Sequence, residues 1–182
     1  MRSFTFGRVR QLDAVIAAAI GRAWSIGAGP KVAPVTIDLD STSVEVYGEH
    51  NQGAAYDYTK VLGYHPILTT RGDTDELLHA RLRKGSSQRG TKRSCEELVA
   101  RVPRCGACGP LTLRADAGFF SWDLVGILTR FRCRFSITVA PNTQVRGAIA
   151  SIEEDRWRNI VYPDGASAQV AETTYATVVR QP

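Results

Sequence analysis

The stretch that most constrains the fold is residues 35–48, Val35-Thr36-Ile37-Asp38-Leu39-Asp40-Ser41-Thr42-Ser43-Val44-Glu45-Val46-Tyr47-Gly48. It reads as a strand, because β-branched residues dominate it, Pro34 precedes it and Gly48 closes it. Two aspartates stand near its middle, two positions apart. In extended backbone they share one face, while Ile37 and Leu39 take the other. Aspartate is depleted in strands, and a buried carboxylate without a partner is costly. A strand that keeps two of them either turns a wet face to solvent at a sheet edge or uses them to hold a cation. Apolar residues fall at odd positions up to Leu39 and at even positions from Val44. That slip points to a bulge or kink at residues 40–42, which would re-aim a side chain, or to a strand buried on both faces.

A chain of 182 residues can bury a core as one domain, or as one domain plus a piece of another. An apolar fraction of 43% and a charged fraction of 23% fit a water-soluble globular protein, and a net charge of +5 favours an anionic partner. Four cysteines without a clear export signal suggest free thiols in a reducing, cytoplasmic compartment. The Ala-rich residues 14–20 follow Arg2, Arg8 and Arg10, but Asp13 and Gly21-Arg22 flank them too closely for a leader. No run approaches the length of a membrane span.

Residues 11–24 have helical spacing, with Leu12, Val15, Ile16, Ala19, Ile20 and Ala23 on one side. Gly27-Ala28-Gly29-Pro30 breaks that helix. After the aspartate strand, residues 49–58 read as a loop or hairpin end, and residues 64–70 and 76–82 as two strands joined by Arg71-Gly72-Asp73-Thr74-Asp75. Three strands with short connections suggest an antiparallel meander. A helix is expected over residues 94–102, ended by Pro103, then a strand over residues 111–115 running into Asp116. Ser121 is placed to cap a helix to about residue 131. A strand follows over residues 133–139, a helix over 143–152, and weaker strands over 159–162 and 169–179. Strand–helix–strand order favours parallel pairing in a mixed sheet with helices on both faces.

Several stretches together resemble DDE-type transposases of bacterial insertion sequences. Ile37-Asp38-Leu39-Asp40-Ser41-Thr42, with Val46-Tyr47-Gly48-Glu49 downstream, is similar to their first catalytic strand. Gly63-Tyr64-His65-Pro66 and Leu82-Arg83-Lys84-Gly85 match the spacing of their second and third strands. Leu113-Arg114-Ala115-Asp116-Ala117-Gly118-Phe119-Phe120 resembles the segment with the second catalytic aspartate. Phe6-Gly7, residues 12–24 and Trp157 also match, so the resemblance covers nearly the whole chain.

The resemblance implies an α/β, ribonuclease-H-like mixed sheet with flanking helices, plus the start of a β-rich insertion. The implied boundaries are a helical lead-in at 1–30, a partial catalytic core at 31–140 and a truncated insertion at 141–182. It implies cleavage and strand transfer of DNA phosphodiesters by two-metal chemistry in the intact protein, with Mg2+ or Mn2+ held by acidic residues. Such sites clamp the attacking and leaving oxygens of an in-line displacement. The first acid falls on Asp40, since the family pattern of Asp, small residue, Thr matches Asp40-Ser41-Thr42, with Asp38 as the fallback. The second falls on Asp116. The third, a glutamate on a later helix, has no match: Glu153, Glu154 and Glu172 precede its place. The chain therefore reads as an internal piece of a transposase, or as an inactive remnant that at most binds DNA. Implied partners are transposon ends and target DNA, with a homodimer in the intact protein and no membrane.

Residues 81–93 hold six Lys or Arg among Gly and Ser. Arg83, Lys84, Arg89, Lys92 and Arg93 are the expected phosphate contacts, which give affinity without sequence readout. A solvated loop would carry the same residues. Cys105-Gly106-Ala107-Cys108 lacks a second close pair for a structural zinc site. His50, His65 and His79 have no ligand spacing and read as surface or packing residues.

Overall fold

The computed structural model of the chain describes residues 6–47, 53–56, 60–83 and 90–174, with backbone alone for residues 6–10. It divides into two compact units, Met1–Val139 and Ala140–Pro182.

In the first unit, helix α1 (Phe6–Ala23) leads to β1 (Val35–Ser41). The short strands β2 (Val44–Glu45), β3 (Ala55–Tyr56) and β4 (Leu62–Tyr64) follow, then β5 (Ile67–Arg71), β6 (Leu77–Arg81), α2 (Thr91–Arg104), β7 (Leu111–Ala115), α3 (Trp122–Arg130) and β8 (Arg134–Ile137). The main sheet has the order β6-β5-β1-β7-β8, and β2-β4-β3 form a small second sheet. β1 pairs antiparallel with β5, and β5 with β6, which is the expected meander. β7 joins the other side of β1 in parallel, and β8 joins β7 in parallel. This is a ribonuclease-H-like mixed α/β sheet with the aspartate strand at its centre.

The odd-numbered side chains of β1 and β7 explain why the sheet forms. Val35, Ile37, Leu39, Leu111 and Leu113 are buried in one cluster with Ile67 and Leu78. The helices bury their apolar faces in that same cluster: Ile20 and Trp24 from α1 and its following turn, Cys95, Leu98, Val99 and Val102 from α2, and Leu124, Ile127 and Leu128 from α3. Within the described residues of the first unit, the expectation of helices on both faces is therefore corrected. The other face carries Thr36, Asp38, Asp40, Thr70, Thr112 and Arg114, half-buried or exposed, and offers a helix little apolar surface to bury.

Several boundaries differ from those the sequence led us to expect. The slip in alternation marks a change of sheet. β1 ends at Ser41, and Val44 already pairs with Tyr64 in the small sheet. The strand expected over 64–70 splits for the same reason: β4 belongs to the small sheet, β5 to the main one, and His65-Pro66 lies between them. Helix α2 begins three residues early, after Gly90 at φ 95°, and runs one residue past Pro103. A proline in the last turn removes a single helical hydrogen bond, and the helix stops just afterwards. On α1 the buried stripe is narrower than its apolar content, since Leu12 is 54% and Val15 62% exposed. Leu12 continues the i+4 row of Ile16, Ile20 and Trp24 one turn before its buried part, and Val15 lies on the flank of that row. Ser121 caps α3 as expected, its hydroxyl accepting from the Leu124 amide at 3.2 Å.

Among the fully buried polar side chains, His79 alone is an imidazole set among charged groups. His79 on β6 has its Nδ1 3.0 Å from Asp13 and its Nε2 3.9 Å from Glu97. Arg101 binds Asp13 at 2.6 Å, and Arg81 pairs with Glu97. Burial, followed by the charge of Arg101, pulls the His79 pKa below its ordinary value despite the two carboxylates.

In the second unit, α4 (Thr143–Ala150) is capped by Asn142, whose side chain accepts from the Val145 amide at 2.9 Å. β9 (Arg158–Val161) and β10 (Ser167–Val170) form an antiparallel hairpin. Pro163-Asp164-Gly165 makes its turn: Gly165 has φ 86°, and the Asp164 side chain accepts from the Ala166 amide. The last expected strand, over 169–179, is present only as β10, and residues 175–179 lie outside the described residues.

Candidate metal centre

Asp40 and Asp116 owe their placement to the parallel ladder between β1 and β7. Its register pairs Val35 with Leu111 and ends with Leu39 opposite Ala115. One step further along both strands stand Asp40 and Asp116, on the polar side of the sheet. Asp40 is still within β1, with Leu68 as its partner on β5. Asp116 is the first residue after β7, still extended at φ −78° and ψ 177°.

Both carboxylates are exposed, and local amides hold them. The Ser41 amide donates to Asp40 Oδ1 at 2.7 Å, and the Gly118 amide to Asp116 Oδ1 at 3.0 Å. Among the described residues neither pairs with a cationic side chain. Two exposed carboxylates on neighbouring strand ends are hard oxygen donors that suit Mg2+ or Mn2+. They are only part of a ligand set: among the described residues no group of three or more His, Cys, Asp or Glu side chains is placed to hold a metal ion.

Asp38 stands differently. Its register partner is Arg114, whose Nε and Nη2 donate to Asp38 Oδ1 and Oδ2 at 2.6 and 2.7 Å. The hydrogen bonds that Arg114 donates to Asp38, then the negative charge of Asp38, raise the Arg114 pKa. Sequence reasoning missed Arg114 as a partner. The signal was present as Asp38-x-Asp40 and Arg114-x-Asp116, two strands with matching spacing, but it needs the register to be read.

The five expected phosphate contacts do not form one free loop. Lys84 and Arg89 lie outside the described residues. Lys92 and Arg93 belong to the first turn of α2, where Lys92 Nζ lies 3.5 Å from Asp123 and Arg93 Nε donates to Glu97 at 2.9 Å. Arg83 is half-buried. Its Nε donates to the His65 carbonyl at 2.9 Å, and its guanidinium lies 6.0 Å from the centre of the Phe119 ring. Burial lowers its pKa, yet arginine stays charged at neutral pH.

All four cysteines are free. Burial pushes the Cys95 thiol up to about 12, with the nearby Cys133 adding to it, and pushes Cys133 up to about 11. Thiols held this far from ionisation are packing groups. No helix among the described residues is long and apolar enough to cross a membrane.

Residues 18–178 match the family model described as transposase DDE domain group 1. No curated protein matches the chain. Among solved structures, the chain resembles the piggyBac transposase in a synaptic complex with hairpin DNA, at 13% identity over 74% of this chain and 32% of that one, TM-score 0.48. It also resembles the catalytic domain of the Mos1 mariner transposase (7% identity, 76% of this chain and 64% of that one, TM-score 0.40). A third is the HTLV-2 integrase catalytic core domain in complex with magnesium (15% identity, 67% and 69%, TM-score 0.37). The chain thus spans 32% of the length of the piggyBac chain it matches.

Proposed function

The chain belongs to the transposase DDE domain group 1 family, and from that premise we propose that it is part of a transposase core that cuts and joins DNA phosphodiesters. Asp40 and Asp116 are the catalytic acids in this reading and hold Mg2+ or Mn2+ in the intact protein. The observation that supports it is the β1–β7 register, which ends with Leu39 opposite Ala115, one residue before Asp40 and Asp116; neither acid has a cationic side chain on it among the described residues, while Asp38 is engaged by Arg114. The core at 31–140 supplies these acids, with 1–30 as lead-in and 141–182 as the start of an insertion. DNA, as transposon ends and target, is the proposed partner. A homodimer of the intact protein and a cytoplasmic setting complete the reading, and four free thiols fit a reducing compartment.

A divalent cation held there supplies electrostatic stabilisation of the charge that develops on phosphodiester oxygens. The chain's own residues do the positioning. The Ser41 and Gly118 amides fix one oxygen of each carboxylate and so set the direction of the other. Asp116 follows β7 and caps the single helical turn Ala117–Phe119 with its own side chain, and the small residues Ala117 and Gly118 there would leave room for a DNA backbone. Arg83, Lys84 and Arg89 add phosphate affinity.

Two carboxylates provide only part of the near-octahedral oxygen shell that Mg2+ requires. The second reading, a remnant that binds DNA without cutting it, rests on that incomplete donor set. A labelled duplex titrated with the chain, with and without Mg2+, tests the metal assignment. Mg2+ should tighten binding by the natural chain and leave an Asp40→Ala, Asp116→Ala variant unaffected. An equal response from both would contradict it.

A further inference from the structure

Three carboxylates, those of Asp38, Asp40 and Asp116, face one side of two adjacent strands. Asp38 and Asp40 are both oxygen donors on the same face of β1, two residues apart, so the alternation of the strand alone does not exclude Asp38 from the shell. Resting on the reading that Asp40 and Asp116 hold the cation, we propose that the Asp38–Arg114 pair is a positioning device that keeps Asp38 out of the coordination shell and fixes the ion at the strand ends.

The geometry of the pair supports this role. Arg114 engages both oxygens of Asp38 at once, at 2.6 and 2.7 Å, whereas Asp40 and Asp116 each give only Oδ1 to a backbone amide. A two-pronged guanidinium pair has a fixed planar shape that a lysine could not reproduce. The β5–β6 turn lies against it. A Cβ added at Gly72 would stand 3.0 Å from Asp38 Oδ2 and 3.1 Å from Arg114 Nη2, and the Gly72 amide donates to the Thr36 carbonyl at 2.8 Å. Glycine at this position therefore lets the turn close onto the ion pair. Charge fits as well: the three carboxylates and the one guanidinium together carry the charge that one divalent cation neutralises, and the two groups of the pair cancel each other one rung from the ion.

The device makes a signed statement about two variants. Freeing Asp38 adds a carboxylate within reach of the ion, and affinity of oxygen sites rises with ligand charge. Freeing Arg114 adds an uncompensated positive charge beside it.

The test is a titration of the full chain with Mn2+ alone, in the absence of DNA, followed by the paramagnetic resonance of free Mn2+, with thermal melts to verify that each variant is folded. Arg114→Gln should bind Mn2+ about tenfold more tightly, and Asp38→Asn about threefold more weakly. The double variant should return towards the natural value. Gly72→Ala, which crowds the pair without changing any charge, should shift binding in the same direction as Arg114→Gln. A purely structural pair would change stability in both single variants and leave Mn2+ affinity alone. Unchanged affinity, or shifts of the same sign in Arg114→Gln and Asp38→Asn, would therefore overturn the proposal. If Arg114→Gln does not fold, Asp38→Asn and Gly72→Ala decide it, since they too are expected to shift in opposite directions. An Asp40→Ala, Asp116→Ala variant separates the two levels. If it binds Mn2+ as the natural chain does, the metal assignment itself fails and the proposal falls with it. If it loses binding while the other variants behave alike, only the role of the pair fails.

Discussion

Asp38 and Arg114 face each other across the parallel β1–β7 ladder and join through two charge-assisted hydrogen bonds of 2.6 and 2.7 Å. The pair separates the two aspartates of one strand into different chemical positions. Asp38 is neutralised in place, and Asp40, a pleat further on, is left open beside Asp116.

The face that each residue of β1 takes should be visible in stability. Ile37 is fully buried beneath the helices and Thr36 points to the polar side. Ile37→Ala should cost about 2–5 kcal/mol, and Thr36→Ala less than about 1 kcal/mol, by urea unfolding. Equal costs would mean that the register of β1 is misassigned.

His79 gives the fold a defined acid sensitivity. Burial and Arg101 hold its pKa below the ordinary value, so the unfolded chain takes up a proton before the folded one does. Its contribution is present above the unfolded value of about 6.5 and is lost as pH falls from there through the folded value. Asp13 acts in the same sense at lower pH: burial opposes its ionisation, but the hydrogen bond and charge of Arg101 prevail and lower its pKa. The melting temperature should fall as pH drops below about 6.5, and His79→Gln should flatten the first part of that fall. A natural chain equally stable at pH 7 and pH 5 would contradict the burial of a neutral histidine.

The basic residues should separate into two groups. Replacing Arg83, Lys84 and Arg89 with Ala should weaken binding to unrelated duplexes about equally. It should also flatten the dependence of log K on log salt by about 0.9 for each phosphate no longer neutralised. Lys92 and Arg93 already face Asp123 and Glu97, so their replacement should change the slope less. An unchanged slope in the first set would make it a solvated connection.

Much of this architecture is legible in the sequence because it depends on local chemistry. The aspartate strand shows in its β-branched residues and the α3 start in Ser121, while the slip of alternation, which suggested a bulge, a kink or a doubly buried strand, marks a change of sheet after Ser41. The remainder depends on partners distant in sequence. Arg114 becomes the partner of Asp38 only once β7 lies beside β1 in one register. The early start of α2 follows from Gly90 taking a left-handed conformation, and Leu12 and Val15 are exposed because α1 meets only the edge of the sheet. The pattern around Asp40 and Asp116 singles them out as the proposed acids, but the pairing of Asp38 with Arg114, which sets Asp38 apart from Asp40, is not visible in that pattern.

The chain by itself should not cut DNA. With two carboxylates in place, the charge on the leaving oxygen is poorly stabilised, and each ~1.4 kcal/mol of lost stabilisation is a tenfold loss in rate. Labelled duplex incubated with the chain and Mg2+ or Mn2+ should show no cleavage above that of the Asp40→Ala, Asp116→Ala variant. Cleavage that depends on the two acids would show that the donor set is complete without further residues.

Paramagnetic broadening locates the bound ion directly. Mn2+ added in small amounts to 15N-labelled chain erases amide signals close to the bound ion. The expected result is early loss of the Ser41 and Gly118 signals, the two amides that donate to Asp40 and Asp116, and their recovery in the Asp40→Ala, Asp116→Ala variant. Broadening centred elsewhere, or the same broadening in that variant, would contradict a metal site at the paired strand ends.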